Sequence, residues 1–318
     1  MSRFLSALAA VAVTALCLWF LLTPEIVGAL ARLAAEARPL PIVAAFALCA
    51  LVQWLRAWRF AVMTTASLAL PGVTMVRIAF QLNFLNFTLP FRLGELGYPV
   101  LMYRHYGCDL LHSTGVLLLA RLFDLATVGA ILLGAAALLE PSGGLLRTAL
   151  ALGALGLALA PFVMAFAGHA LRPLLQRLPP RIGDMGARLT AGLDAIGRRR
   201  VGPAAAALGF AVWLVFGLAA ILVAQAVVGT VSPAAAMLGA AAGNVAFALP
   251  VNGIAGIGPA QAAWVAATTQ VGVPWGDAVV SALALHAVVL TNALVFGAIA
   301  TLAGPGRRSR ATHSKQRF

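Results

Sequence analysis

The sequence predicts an all-α polytopic membrane protein, with about six full transmembrane helices and two re-entrant helical hairpins in an inverted repeat. Three observations carry that expectation. Of the 318 residues, 62% are hydrophobic and only 10% charged, with a mean hydropathy of +0.97, against roughly 25% charged residues in ordinary soluble domains. Too few polar side chains exist to clothe a soluble globule. Apolar runs recur from end to end, long enough for a hydrocarbon core of about 30 Å at 1.5 Å per residue. Two further apolar stretches are broken near their middles by proline and glycine.

In chain order, the first span covers residues 4–22. It is long for a signal-peptide core and no small-x-small cleavage site ends it, so it reads as a retained helix. The second covers 40–58. The stretch 74–110 is interrupted by Pro90-Phe-Arg92-Leu-Gly94-Glu95-Leu-Gly97 and again by Pro99, so it offers two short pieces rather than one crossing. Spans at 113–139 and 147–168 follow. In the loop 169–201, Ile182, Met185, Leu189, Leu193 and Ile196 recur at spacings of three and four, with Arg181 and Arg188 off that face, as in an amphipathic helix lying on a membrane surface. A span at 203–228 precedes the second broken stretch, 233–273, which is interrupted between Pro250 and Pro259. The last span is 277–303, and residues 304–318 form a basic tail, leaving 1–303 as a single integral membrane domain. Trp19, Trp54, Trp58 and Trp275 fall near predicted span ends and read as interfacial anchors.

The 22 Lys+Arg against 9 Asp+Glu give a net charge of +13, but the basic residues sit in short blocks between apolar spans, which marks topology rather than nucleic-acid binding. Arg3, Arg56, Arg59, Arg77, the arginines from Arg172 to Arg200, and the tail from Arg307 to Arg317 fall on one side; Arg32, Arg38 and Arg147 fall on the other. Both termini are therefore expected in the cytoplasm. With six full spans, 74–110 must leave and return to the cytoplasmic side and 233–273 to the outer side. Residues 1–140 and 147–303 then follow one plan in opposite orientation, the arrangement of transporters whose site lies at the repeat interface. The alternative is eight ordinary helices kinked at proline. Cys17, Cys49 and Cys108 form no CxxC and no ligand spacing with histidine, so neither a disulfide framework nor a metal site is expected.

Ionisable groups at membrane depth are costly and tend to face a cavity or one another. Arg92 and Glu95 in the first break, and Arg121 and Asp124 in the span 113–139, each have Arg-x-x-acid spacing, which puts both side chains on one helix face. Three readings stand. Either each pair neutralises itself, or the four interlock to hold the first hairpin against that span, or else Arg92 and Arg121 face an anionic group while Glu95 and Asp124 orient them or take a proton. Asn83, Asn86 and Thr88 approach the same break at helical spacing and either present hydrogen bonds to a polar ligand or satisfy backbone freed around Pro90. In the second break, Asn252, Gly253, Gly256, Gly258 and Pro259 lead into a helix whose start would be an anion site; tight packing by small residues is the alternative. His286, inside the last span, reads as a packed, hydrogen-bonded histidine, with a proton relay as the alternative. No HExxH, no GxSxG, no acidic ladder and no nucleotide fingerprint is present. Neither an enzyme activity nor a cofactor is expected.

The run Asn83-Phe-Leu-Asn86-Phe-Thr-Leu-Pro90-Phe-Arg92-Leu-Gly94-Glu95, the later Arg121-Leu-Phe-Asp124, and Leu249-Pro250-Val-Asn-Gly253-Ile-Ala-Gly256-Ile-Gly258 together resemble the flippase-like membrane domain of bacterial lysylphosphatidylglycerol synthetases. Stand-alone relatives of that domain are associated with translocating modified phospholipids, hopanoids or polyprenyl-linked lipids. The resemblance covers nearly the whole chain and implies a lipid transporter of the bacterial inner membrane, with a lipid of anionic headgroup as its ligand. Three departures touch the substrate. Gly97-Tyr98-Pro99 stands where the family commonly has a basic residue, Ala120 where it usually has Glu before Arg-x-x-Asp, and Gln261 where its second break usually continues to Glu. The aminoacyltransferase domain of the fused synthetases is not in the sequence, so lysine transfer is not expected. Two rivals remain: a non-transporting scaffold presenting lipid to a lipid-synthesis enzyme, and a membrane polyprenyl-diphosphate phosphatase, which the chain resembles in architecture alone.

Overall fold

The computed structural model describes residues 38–65, 67–89, 94–175, 200–248 and 254–303. The expected first span, residues 90–93 and 249–253 of the two breaks, residues 176–199 of the loop 169–201 with its expected surface helix, and the basic tail lie outside the described residues.

The described chain is helical, with α1 Pro39–Thr65, α2 Val73–Thr88, α3 Gly97–Tyr106, α4 Leu110–Leu139, α5 Leu145–Leu175, α6 Val201–Val227, α7 Pro233–Phe247, a 3-10 turn Ile254–Gly256, α8 Pro259–Thr269 and α9 Trp275–Leu302. Five are long and apolar enough to cross a membrane: α1, α4, the Leu145–Met164 part of α5, α6 and α9. The protein is a polytopic helical membrane protein. The two broken stretches behave as their proline and glycine content demands. α2 and α3 have 16 and 10 residues, α7 and α8 have 15 and 11, so each is at most about 24 Å long and falls short of the hydrocarbon core.

Several ends are chemically specified. Asp109 caps α4 by accepting the His112 N–H at 3.0 Å, and Ser232 caps α7 by accepting from Ala235 N–H at 3.2 Å, with Pro233 in the first turn. Gly107 closes α3 in the left-handed conformation at φ 68°. Pro99, taken from the sequence as a second interruption, lies in the first turn of α3, where its missing N–H is not needed.

α1 departs further from expectation. It continues seven residues past 58, so Arg56 and Arg59 are interior positions of a crossing helix, not flanking charges, and Arg59 is only 1% exposed. A carboxylate from α4 makes that burial tolerable, as described below. Trp54 and Trp58 are likewise not at a helix end; their rings lie 5.4 Å apart against the core, whereas Trp275 does start α9.

α1 packs along α6, α4 along α5, α7 along α8, and α9 along α2. Lipid tails are as apolar as leucine, so helices in a bilayer gain by close approach rather than by hydrophobic burial. The contacts show this: a Cβ on Gly297 would lie 2.3 Å from Phe84 Cβ, and one on Gly239 2.7 Å from the Trp264 ring. α5 turns Leu152, Leu155, Leu159 and Val163 outward on one face, all more than half exposed. On a spanning helix at the edge of the bundle, that apolar face meets lipid.

Candidate functional site

A cavity of about 550 Å³ lies where the two broken stretches meet. Its walls come from helix faces rather than loops. α1 contributes Cys49, Val52, Gln53 and Arg56, α4 contributes Arg121, Asp124, Leu125 and Val128, and α7 and α9 repeat the same spacing from Ala240 and Ala282. Offsets of 0, 3, 4 and 7 define one face of a helix. The ends of the broken helices close the space. Phe87, near the end of α2, stacks on Phe247 of α7 at 5.6 Å, and Gly256 of the 3-10 turn sits against both rings, where a Cβ would meet them at 3.0–3.2 Å. Gly256 has φ 75°, so both its conformation and its crowding call for glycine.

Charge is concentrated at one wall. Asp124, 5% exposed, accepts from Arg59 through both carboxylate oxygens at 2.6 and 3.0 Å, from Arg121 Nη1 at 2.8 Å and from the Trp213 indole N–H at 2.8 Å. Arg121 then reaches Glu95 through Nε at 2.8 Å. This relay joins α1, α4, α6 and the residues before α3. Arg56 lies over the Trp213 ring at 5.5 Å, within the range of a cation–π contact. Glu95 reaches Arg121 because Gly94 lies flat on the end of α2; a Cβ there would stand 2.6 Å from the Asn86 nitrogen and the Leu85 carbonyl carbon.

Arg121 is about one-third exposed, and Leu96 and Leu125, which also line the cavity, are 65% and 58% exposed. The Glu95–Arg121 ion pair therefore sits at a mouth in the side of the bundle, between α4 and the residues leading into α3. The mouth is thus apolar at its rim, with the ion pair behind it.

Of the residues singled out from sequence, Asn83, Asn86, Glu95, Arg121, Asp124 and Gly256 line this one cavity. The Arg-x-x-acid spacing of Arg121 and Asp124 does produce an ion pair. Arg92 and Asn252 lie outside the described residues. Gly258 is adjacent but not on the wall, and its N–H is taken by Gln261 Oε1 at 2.7 Å. That donor at the start of α8 is thus satisfied by the chain's own side chain. Thr88 turns back to the Phe84 carbonyl. His286 lines the cavity 6.0 Å from Phe87. Sequence reasoning missed Arg59, Trp213 and Asn292 as site residues, and assigned Arg56 to a flank. The available signal was Arg56-x-x-Arg59 inside an otherwise apolar helix. Among the described residues, no group of three or more His, Cys, Asp or Glu comes together as metal ligands.

The model of the lysylphosphatidylglycerol synthase TM region matches residues 7–297. The chain belongs to this family. Its members' membrane region is associated with lipid flipping and transport. No curated protein and no solved structure matches the chain. Within the lysylphosphatidylglycerol synthase TM region, Asn83, Asn86, Glu95, Arg121, Asp124 and Gly256 line one cavity.

Proposed function

We propose that the protein is a lipid transporter of the bacterial inner membrane that moves a lipid with an anionic headgroup between leaflets. The observation that carries this reading is the cavity itself: a space of about 550 Å³ inside a membrane bundle, charged at one wall and opening sideways past Leu96 and Leu125. In this reading α2–α3 and α7–α8 are re-entrant hairpins entering from opposite faces, the two halves of the chain are inverted repeats, and both termini face the cytoplasm. Headgroups cross a hydrocarbon core at high cost, and a buried polar cavity removes most of that cost by replacing water with fixed hydrogen-bond partners. The lipid enters through the side mouth with its tails left in the bilayer. Arg121 changes partner from Glu95 to the headgroup phosphate, an exchange one guanidinium makes readily because it offers several donors. Rocking of the α7–α9 side against the α1–α4 side then moves the opening from one leaflet to the other. Asn83, Asn86 and the Gly256 turn line the path. No reaction is assigned to the protein, which acts as a carrier.

The test is translocation of a fluorescent anionic phospholipid in proteoliposomes, read by chemical quenching of the outer leaflet. Faster loss of protected fluorescence than in protein-free vesicles is expected. No movement, with lipid still retained by the purified protein, would sink transport and leave a scaffold that presents lipid to a separate enzyme.

A further inference from the structure

The pairing of the described helices maps onto itself when the two halves of the chain are exchanged. α2 packs along α9 and α7 along α4, α3 packs on α4 and α8 on α9, and α1 and α6 pack along each other. The cavity wall supplies the register: Ala282, Leu285, His286 and Val289 of α9 repeat Arg121, Asp124, Leu125 and Val128 of α4 at a shift of 161 residues. Only α5 has no described counterpart. It runs antiparallel along α4, with Leu157 against Gly129, Ala154 against Gly134 and Gly153 against Leu133. A Cβ on Gly129 would lie 2.8 Å from Leu157 Cδ1, so the two helices approach closely there.

The same shift carries Gly129, Leu133 and Gly134 onto Leu290, Leu294 and Val295 of α9. Among the described residues that face is open: Leu294 and Val295 are 42% and 43% exposed, and Ile299, one turn on, is 58% exposed. Exposure alone does not separate a protein contact from a lipid contact, because both suit apolar side chains. The register does, since on α4 the matching face carries a helix. An occupant is within reach. Residues 1–37 precede α1, and their apolar run 4–22 is the expected first span. α1 itself touches α9, where Asn292 donates to the Phe46 carbonyl at 3.0 Å. The link 23–37 can bridge about 50 Å when extended, against the roughly 8–10 Å between axes of packed helices. Resting on the reading of the two halves as inverted repeats, we infer that the first span docks on the Leu290–Leu294–Val295 face of α9, antiparallel to it, as α5 does on α4. Residue 11, seven into the span, then stands level with Val295, seven before the end of α9 at Leu302.

The test is disulfide cross-linking of the full chain in isolated membranes. A C17A/C49A/C108A background carries a protease site within 23–37, and V295C is combined in turn with a cysteine at each position from 8 to 14. L159C, on the outer face of α5, is the comparison. After oxidation and cleavage, a cross-linked first span stays attached to the rest of the chain on a non-reducing gel. Attachment is expected with V295C at positions three or four apart, and not with L159C. Attachment through L159C instead, or none at any position, overturns the inference. So does a V295C-dependent product of twice the chain's mass, which would put a second copy on this face. Stability gives a reading that needs no cross-link: Val295→Trp should unfold at a lower SDS fraction than wild type because it overfills a protein contact, whereas Leu159→Trp, facing lipid, should not. Wild-type stability in Val295→Trp overturns the inference as well. Attachment to α9 in a protein that moves no lipid sinks the transport reading alone; no attachment in one that moves lipid sinks this inference alone.

Discussion

Asp124 binds more partners than any other charged side chain described above, and its removal is expected to cost far more than removal of Arg59. In Asp124→Leu, Arg121 keeps Glu95 at 2.8 Å, but Arg59, 1% exposed, loses the carboxylate that accepts from both its terminal nitrogens. Stripping one partner from a buried ion pair costs about 3–5 kcal/mol. The Trp213 N–H also loses its acceptor, which adds about 1 kcal/mol. In Arg59→Leu, by contrast, Asp124 keeps Arg121 and Trp213, each at 2.8 Å, so the loss is about 2 kcal/mol. The double variant carries no stranded partner from this pair. Its cost is expected to be no greater than that of Asp124→Leu alone, and at least about 2 kcal/mol below the sum of the single variants. Unfolding in mixed detergent–SDS micelles, followed by circular dichroism, measures all three. A larger loss for Arg59→Leu than for Asp124→Leu, or simple additivity, would refute the claim that Asp124 is the hub of the charged wall.

Gly94→Ala should destabilise by about 1–3 kcal/mol, because the atoms its Cβ meets at 2.6 Å are backbone and cannot turn aside. The same variant should slow lipid movement by lifting Glu95 away from Arg121; unaltered stability and movement would remove Gly94 from the site. Cys108, in the link between α3 and α4, is half-buried and desolvation raises its pKa, so less of it is thiolate at neutral pH than of an ordinary cysteine. In a C17A/C49A background its labelling by an impermeant maleimide should rise about tenfold per pH unit below that pKa, from the cytoplasmic face alone. S142C, between α4 and α5, should label from the opposite face, and the reverse pattern would invert the proposed orientation.

The membrane class and most helix starts were legible because they depend on local chemistry, whereas α1 and α5 each run seven residues past the expected ends at 58 and 168. Apolar length sets α4, α6 and α9 to within three residues, and proline with glycine sets the two breaks. The extension of α1 was not legible. Arg56 and Arg59 look like flanking charges until a carboxylate sixty-five residues away is brought to Arg59, and long-range pairing leaves no trace in local pattern. For the same reason Arg121–Asp124 was readable as a pair, being one helix turn apart; contact of Glu95 with Arg121 stood only as one alternative, and Trp213–Asp124 was not readable. Trp54 and Trp58 misled because tryptophan suits both an interface and a packed helix face; the difference lies in their neighbours. Asn292, one of several polar residues in a long apolar helix, drew no notice until its cavity and its Phe46 partner were seen.

Blocking the cavity tests the proposed lipid path most directly. Asn244 lines the cavity and bonds back to Ala240 of its own helix, so Asn244→Trp fills the space while sparing the charged wall; Leu159→Trp, on the outer face of α5, is the matched control. In proteoliposomes of equal protein content, Asn244→Trp should bring translocation of an anionic lipid down to the protein-free rate, with Leu159→Trp as fast as wild type. Wild-type rates in a folded Asn244→Trp variant would place the lipid path elsewhere.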